Sequence, residues 1–494
     1  MYSQSILELY SYQKATFEGL LEASKVSKFI ISNDEAGTGK SFLAMKLSQS
    51  MNIPLLYICD KKIRPTIQKY INDYNIQCHK IYTYAGVYSK NSDLIEKNKV
   101  NNKVVFKATN RFIDLLNKGV LIVVDEYDGI KNSKALKSRA IKCLLLELSQ
   151  LKCVSRALFL GAIAYEKEEH VIDFCKAIGF IKHSVLVKKA FLLNSYTLLG
   201  LEELLQSAYK YTSKEMVENF MKEYKDDFYN GRFEWIAVLC FKKLILPKMR
   251  GPRMVNKDIL PESDVKNGYY NLDSNFIESY KNAINKLIED SGYDIEEKNI
   301  VDVRNIKDNS LGINLQPLEI NKLSLFNRLM KKYLDSNSNI KGIIAVNYRH
   351  SLAILSEMLK EYNPLLLHGD LNEKDRFKIQ ELFQSNNLEN RILITTISLS
   401  DKGVNYHDLH GNRPRVMLIS PNYNYIQMYQ IAYRVMRTGS QTGSIIRYIY
   451  VKGMQVETNI LTALSRKRSF VNFMNDDEQK TNTNMDEYPN EIEE

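Results

Sequence analysis

The residues whose chemistry is plainest lie in two short runs. Ser32-Asn-Asp-Glu-Ala-Gly-Thr-Gly-Lys-Ser41 follows the apolar Phe29-Ile-Ile31 and precedes Phe42-Leu-Ala-Met-Lys-Leu47. This order reads as strand, glycine-rich turn and helix. Gly37 and Gly39, flanking Thr38, let backbone amides wrap a phosphate chain whose charge sits at the positive end of the helix. Lys40 would reach the outer phosphates, and the Ser41 hydroxyl would ligate Mg²⁺. The general pattern begins with Gly six residues before the lysine, and here Asp34 holds that place. In the second run, Val120-Leu-Ile-Val-Val-Asp-Glu-Tyr-Asp128, an apolar strand ends in carboxylates 85 residues after Lys40. Asp125 would hold Mg²⁺ through water, and Glu126 would orient and deprotonate an attacking water. Taken singly, the runs also read as an incidental glycine turn and a solvated strand exit. Together they read as a core that binds and hydrolyses ATP.

A third constellation lies far down the chain. Gln430-Ile-Ala-Tyr-Arg-Val-Met-Arg437-Thr-Gly-Ser440 sets Arg434 and Arg437 three residues apart, on one helix face and one turn from Gln430. Guanidinium groups presented so can clamp a γ-phosphate held on another lobe. By itself the segment reads equally as a basic surface helix.

Positioning these groups requires two α/β regions. In the first, Lys28–Asn33, Pro54–Asp60, Lys103–Phe106, Val120–Asp125 and Arg156–Leu160 read as buried strands alternating with amphipathic stretches such as Phe42–Met51 and Lys134–Leu148. The second runs from about Leu323 to Thr462, with strands at Gly342–Val346, Pro364–Leu367, Arg391–Thr395, Val416–Ser420 and Ser444–Val451. Such spacing implies parallel sheets covered by helices on both faces. Between them Leu201–Tyr211, Lys214–Phe228 and Phe276–Ile288 read as helices, and Pro247–Pro261 as an irregular loop. The expected organisation is a lobe over 1–190, a mostly helical insertion over 191–317, a second lobe over 318–465, and a basic cluster leading into an acidic, disordered tail over 466–494.

Composition narrows the class. A chain of 494 residues with 44% hydrophobic and 26% charged residues is long enough for two to four domains with packed cores. The N-terminal sequence has no basic region leading into an apolar run, and no stretch approaches 18 apolar residues, so neither a secretory signal nor a membrane span is expected. The six cysteines form no Cys-x-x-Cys pair, which disfavours zinc or a disulfide framework and fits a reducing, cytoplasmic compartment. Net charge is +10, but the last twenty residues hold eight acids against Lys480. The remainder carries 67 basic and 50 acidic residues, a net of +17. A core this basic suits a polyanion, although 49 lysines against 19 arginines also fit an AT-rich coding genome, such as that of a virus, phage or plasmid.

These runs, in this order, resemble the superfamily 2 helicases and translocases, most closely the Swi/Snf-type DNA-dependent ATPases with their viral and plasmid relatives. Tyr12-Gln13 resembles the adenine-reading glutamine motif. Asp34-Glu-Ala-Gly-Thr-Gly-Lys-Ser41 resembles that branch's Asp-Glu-Met-Gly-Leu-Gly-Lys-Thr, Asp34 included. Asp125-Glu-Tyr-Asp-Gly-Ile-Lys-Asn132 is similar to motif II, Thr395-Thr396 with Lys402-Gly-Val-Asn405 to motif V, and Tyr423-Asn424, Gln430, Arg434, Arg437 and Gly439 to motif VI. Lys322-Leu323, the strand Lys341–Val346, and His368-Gly-Asp with Arg376 and Phe383 suit the start of a second lobe. The resemblance covers about 9–175 and 319–450. Departures are Leu160-Gly-Ala-Ile163 at motif III, where hydroxyls usually couple hydrolysis to movement, one extra residue in motif V, and Tyr433 where many helicases have Gly.

The resemblance implies two RecA-like lobes, ATP and Mg²⁺ as cofactors, Gln13 and Gln430 at the nucleotide, and Arg434 and Arg437 as finger residues. It also implies phosphate-backbone contacts near Cys59–Arg64 (Lys61 and Arg64), at Thr109 and Arg111, and at Thr395 and Thr396. The basic loop Lys248–Lys257 (Lys248, Arg250, Arg253, Lys257) and Arg466-Lys467-Arg468 are candidates to extend that track, or are solvated charge runs. The expected activity is ATP-driven translocation on or unwinding of DNA, with replication or transcription proteins as further partners. RNA unwinding and a weakened, helicase-like binding scaffold are the alternatives.

Overall fold

The computed structural model of the chain describes residues 7–163, 165–190, 195–255, 260–291, 315–400 and 405–476. The chain divides into two compact units, Met1–Asn256 with Phe470–Asp476, and Lys257–Ser469 with Asp477–Glu494. The acidic tail beyond Asp476, Lys257 of the basic loop and residues 402–404 of the motif V run lie outside the described residues.

The first unit opens with helix α1 (Ser11–Val26), strand β1 (Phe29–Ser32) and helix α2 (Lys40–Met51). With β2 (Leu55–Cys59), β3 (Cys78–Thr83), β6 (Leu121–Asp125) and β7 (Arg156–Leu160), β1 forms a five-stranded parallel sheet of order β1-β7-β6-β2-β3. The strands run apolar because both faces are covered. Neighbouring residues of one strand enter different cores: Phe29 and Ile31 with Ile122 and Val124 on one side, Ile30 with Leu121, Val123 and Leu158 on the other.

Two strands differ from the sequence expectation. Lys103–Phe106 is not part of this sheet; it lies within β5 (Lys103–Ala108), which pairs antiparallel with β4 (Ile95–Val100). The reversal is made by Asn101 and Asn102, both at positive φ (47° and 58°), the geometry of a two-residue hairpin turn. The remaining place in the sheet is taken by Cys78-His-Lys-Ile-Tyr-Thr83, an edge strand whose outer half is exposed and polar.

The second unit holds a six-stranded parallel sheet of order β8-β13-β12-β9-β11-β10, built from β8 (Asp264–Tyr270), β9 (Lys341–Val346), β10 (Leu365–Leu367), β11 (Ile392–Thr396), β12 (Arg415–Ile419) and β13 (Ser444–Val451). Helices Leu323–Ser336 and Arg349–Met358 pack on it through Phe326, Leu329, Leu352 and Leu355. Two α/β sheet units in tandem are therefore present, as the sequence implies. The intervening segment is shared out. Helices Gly200–Ala208, Lys214–Glu223 and Phe233–Cys240 join the core of the first unit, while Asp264–Tyr270 becomes an edge strand of the second.

Candidate active site

Local sequence explains the shape of the phosphate loop. Gly37 and Gly39 sit at φ 85° and 84°, a region open to glycine but strained for other residues, and Gly39 caps α2. A Cβ at Gly39 would stand 2.6 Å from Gln13 Nε2, so bulk is excluded as well. Gln13 is buried in α1, where its Nε2 donates to the Thr38 carbonyl at 2.9 Å and its Oε1 accepts from the Tyr10 amide at 3.0 Å. The glutamine expected to read adenine is thus also a brace for the loop. Thr38 Oγ1 donates to the Glu35 carbonyl at 2.8 Å. Lys40 Nζ donates to the carbonyls of Asp34 and Glu35, 2.9 Å each, and so rests on the loop whose phosphate it is expected to hold.

The motif II carboxylates stand at the end of β6. Asp125 is buried, and its Oδ2 accepts from Tyr57 Oη at 2.8 Å; the same hydroxyl lies 3.3 Å from Ser41 Oγ. Burial, reinforced by the neighbouring Glu126 charge, pushes the Asp125 carboxyl up to about 7, against the pull of Tyr57 and Lys40. Glu126 turns the chain out of the strand with φ 53°, a left-handed conformation that non-glycine residues adopt chiefly where surroundings enforce it. Those surroundings include Tyr84, whose hydroxyl donates to the carbonyls of Asp125 (2.7 Å) and Glu126 (3.3 Å). Tyr127 Oη donates to Asn33 Oδ1 at 2.8 Å, tying motif II to the loop's first turn. At the motif III position Gly161 packs closely on motif II, since a Cβ there would lie 3.0 Å from the Tyr127 ring. Beyond it, Lys131 pairs with buried Glu166 at 3.0 Å.

Oxygen donors of this kind fit Mg²⁺, a hard cation that takes one or two carboxylates together with substrate phosphates. Ser41 Oγ and Asp125 Oδ2, converging on one hydroxyl, are the residues that would hold it.

In the second unit, Asn424 caps the helix Tyr425–Ala432, accepting from the Gln427 amide at 3.3 Å, and Gln430 is buried within it. The helix ends before the arginines, contrary to the expectation that Gln430, Arg434 and Arg437 share one helical face. After Tyr433 the amides of Arg434 and Val435 bond three residues back, to Ile431 and Ala432, and the Arg434 carbonyl is taken by the Tyr406 amide at 2.8 Å. Arg434 is buried in the following turns, and Arg437, half-buried, directs Nε to the Tyr433 carbonyl at 3.3 Å.

The expected polyanion contacts divide. Lys61, Arg64 and Arg111 are placed towards solvent, and Thr109 caps the helix Asn110–Lys118 beside Arg111. Thr395 is 0% exposed, its hydroxyl committed to the Leu367 carbonyl at 3.1 Å and to Ser400; Thr396 is also buried. Within the basic loop, Arg250 pairs with Asp476 and Arg253 with the phosphate loop, so neither side chain is a solvated track charge. Lys467 donates to the Tyr423 carbonyl at 2.6 Å and Arg468 is buried, leaving Arg466 exposed in that cluster. Sequence reasoning missed Tyr57, Tyr84 and the role of Asp34, because each acts through partners distant along the chain.

Residues 322–439 match the helicase conserved C-terminal domain family. Over 161 residues the chain is 30% identical to a protein of Acanthamoeba polyphaga mimivirus named as a putative ATP-dependent RNA helicase, an overlap spanning 33% of this chain and 29% of that relative. The Sulfolobus solfataricus SWI2/SNF2 ATPase core, solved in complex with dsDNA, is similar over 94% of this chain and 92% of its own, at 17% identity and a TM-score of 0.33. Residues 322–439 are thus similar to the C-terminal domain of helicases, and the chain spans about three tenths of the length of its mimivirus relative.

Proposed function

We propose that this protein is a nucleic-acid-dependent ATPase that translocates along or unwinds DNA. The observation that carries the reading is the convergence of Ser41 and Asp125 on one buried hydroxyl beside a lysine-bearing phosphate loop. Glycine-rich backbone and Lys40 would bind the phosphates, Glu126 would take the proton of the attacking water, and Gln13 and Gln430 would lie at the nucleotide. Mg²⁺, where bound, neutralises charge on the phosphate oxygens. Lys61, Arg64, Thr109 and Arg111 are the proposed backbone contacts. Such contacts carry no base information and suit movement over any sequence. RNA is a second reading, favoured by the name of the mimivirus relative.

Arg437 tests the mechanism. A finger that meets the γ-phosphate during turnover stabilises the transition state more than bound ATP, and in other nucleotide hydrolases accounts for about 10³–10⁵ in kcat. Arg437→Ala should therefore collapse nucleic-acid-stimulated kcat while ATP affinity changes far less, and Arg437→Lys should rescue poorly. A fully active Arg437→Ala would show that this arginine does not complete the site.

A further inference from the structure

The segment that follows the helices of the first unit, from Met249 to Val255, forms a strap along its nucleotide side. It opens beside β1, where the Ile31 amide donates to the Met249 carbonyl at 2.8 Å. It then passes close against α1: a Cβ on Gly19 would fall 2.5 Å from both the Gly251 Cα and the Pro252 Cδ, and Thr16 Oγ1 donates to the Pro252 carbonyl at 2.7 Å. Finally it bonds to the phosphate loop. Arg253 Nε donates to the Asn33 carbonyl at 2.7 Å, and its other end pairs with Glu35 at 3.8 Å. The Met254 amide donates to Asp34 Oδ1 at 2.7 Å, the second carboxylate oxygen accepts from Ser32 Oγ, and the Met254 carbonyl accepts from the Glu35 amide at 3.2 Å.

The two residues held this way, Asp34 and Glu35, are the two whose carbonyls receive Lys40. A glycine at position 34, as in the general pattern, would have no carboxylate to offer the strap.

We infer that Asp34 and Arg253 are positioning residues that lock the strap to the phosphate loop and so hold the loop, and Lys40 upon it, in a conformation ready for ATP. The inference rests on the proposed ATPase reading. A loop ordered before binding loses less freedom on binding, so the lock contributes to affinity. Once the phosphates themselves order the loop, the lock adds little to turnover. Loss of Asp34 should therefore fall on KM more than on kcat, the pattern of uniform binding.

The test is the dissociation constant of a fluorescent ATP analogue with Mg²⁺, measured without nucleic acid on the full chain, its Asp34→Ala, Asp34→Asn and Arg253→Ala variants, and accompanied by kcat and KM. Removing a buried charge-assisted hydrogen bond should weaken binding about tenfold in Asp34→Ala. Asp34→Asn keeps an acceptor for the Met254 amide and should stay within about threefold of the parent, while Arg253→Ala should lose about three- to tenfold. Equal affinity in Asp34→Ala and the parent overturns the inference. So does an Asp34→Asn as weak as Asp34→Ala, because the amide-to-acceptor bond would then not be the cause. Should Asp34→Ala fail to show a cooperative melting transition, Arg253→Ala decides, and parental affinity there overturns the lock. A parent that binds no ATP analogue at all overturns the ATPase reading, and this inference with it.

Discussion

Replacing Asp125 with asparagine should stabilise the protein at alkaline pH, although most substitutions of a buried residue destabilise. The reason lies in where the carboxylate stands. Its pKa rises from the ordinary 3.8 to about 7, first through burial and then through Glu126. Between those two values the folded chain holds a proton that the unfolded chain has released, so stability falls as pH rises through this window and stays low above it. The side-chain amide of the Asp125→Asn variant would still accept from Tyr57 Oη, so the net gain should be about 1–3 kcal/mol, or several degrees at about 2–4 °C per kcal/mol. The assay is thermal melting of parent and Asp125→Asn from about pH 5 to about pH 8.5, in chelator and without nucleotide. The curves should lie closest at the acid end and separate towards the alkaline end, the variant melting higher. Added Mg²⁺ and a non-hydrolysable ATP analogue should cancel the advantage, since only the parent binds them well. Parallel curves, or a variant less stable than the parent at the alkaline end, would refute the reasoning.

Other outcomes follow from single contacts. Tyr57→Phe deletes the hydroxyl that bonds Asp125 and approaches Ser41, which leaves the carboxylate easier to protonate. The Mg²⁺ concentration giving half-maximal hydrolysis should rise about tenfold, and the acid limb of the rate profile should move to higher pH; an unchanged Mg²⁺ titration would count against the site. Gly19→Ala forces a Cβ against the Gly251 backbone and should cost about 1–3 kcal/mol, read as a fall in melting temperature, whereas an unshifted melt would show that α1 and the strap can part freely.

Central strands of both sheets announce themselves in sequence because burial on both faces leaves them apolar through most of their length, as in Leu121–Val124 and Gly342–Val346. Edge strands do not. Cys78–Thr83 and Asp264–Tyr270 each pair on one side only, so His79, Lys80 and Lys266 are tolerated and the periodicity is blurred. Lys103–Phe106 has the right residue types for a strand but partners its own hairpin, a choice made by two asparagines that accept positive φ. The phosphate loop and motif II were legible because their chemistry is local in sequence. The helix expected through Arg437 was not, since its end depends on Tyr406 claiming the Arg434 carbonyl. Arg253 read as a track charge or a solvated one for the same kind of reason: its partners Asn33 and Glu35 lie far away along the chain.

The most direct test of the central claim is steady-state ATP hydrolysis by the parent and Lys40→Ala, each alone and with single-stranded DNA, duplex DNA, forked DNA and RNA. The account predicts slow basal turnover by the parent, clear stimulation by nucleic acid with DNA the stronger stimulant, and loss of both rates in Lys40→Ala, whose loop cannot match the phosphate charge. Stimulation by RNA alone would transfer the reading to RNA. A parent that binds nucleic acid but hydrolyses no ATP under any of these conditions, or a Lys40→Ala as active as the parent, would contradict it.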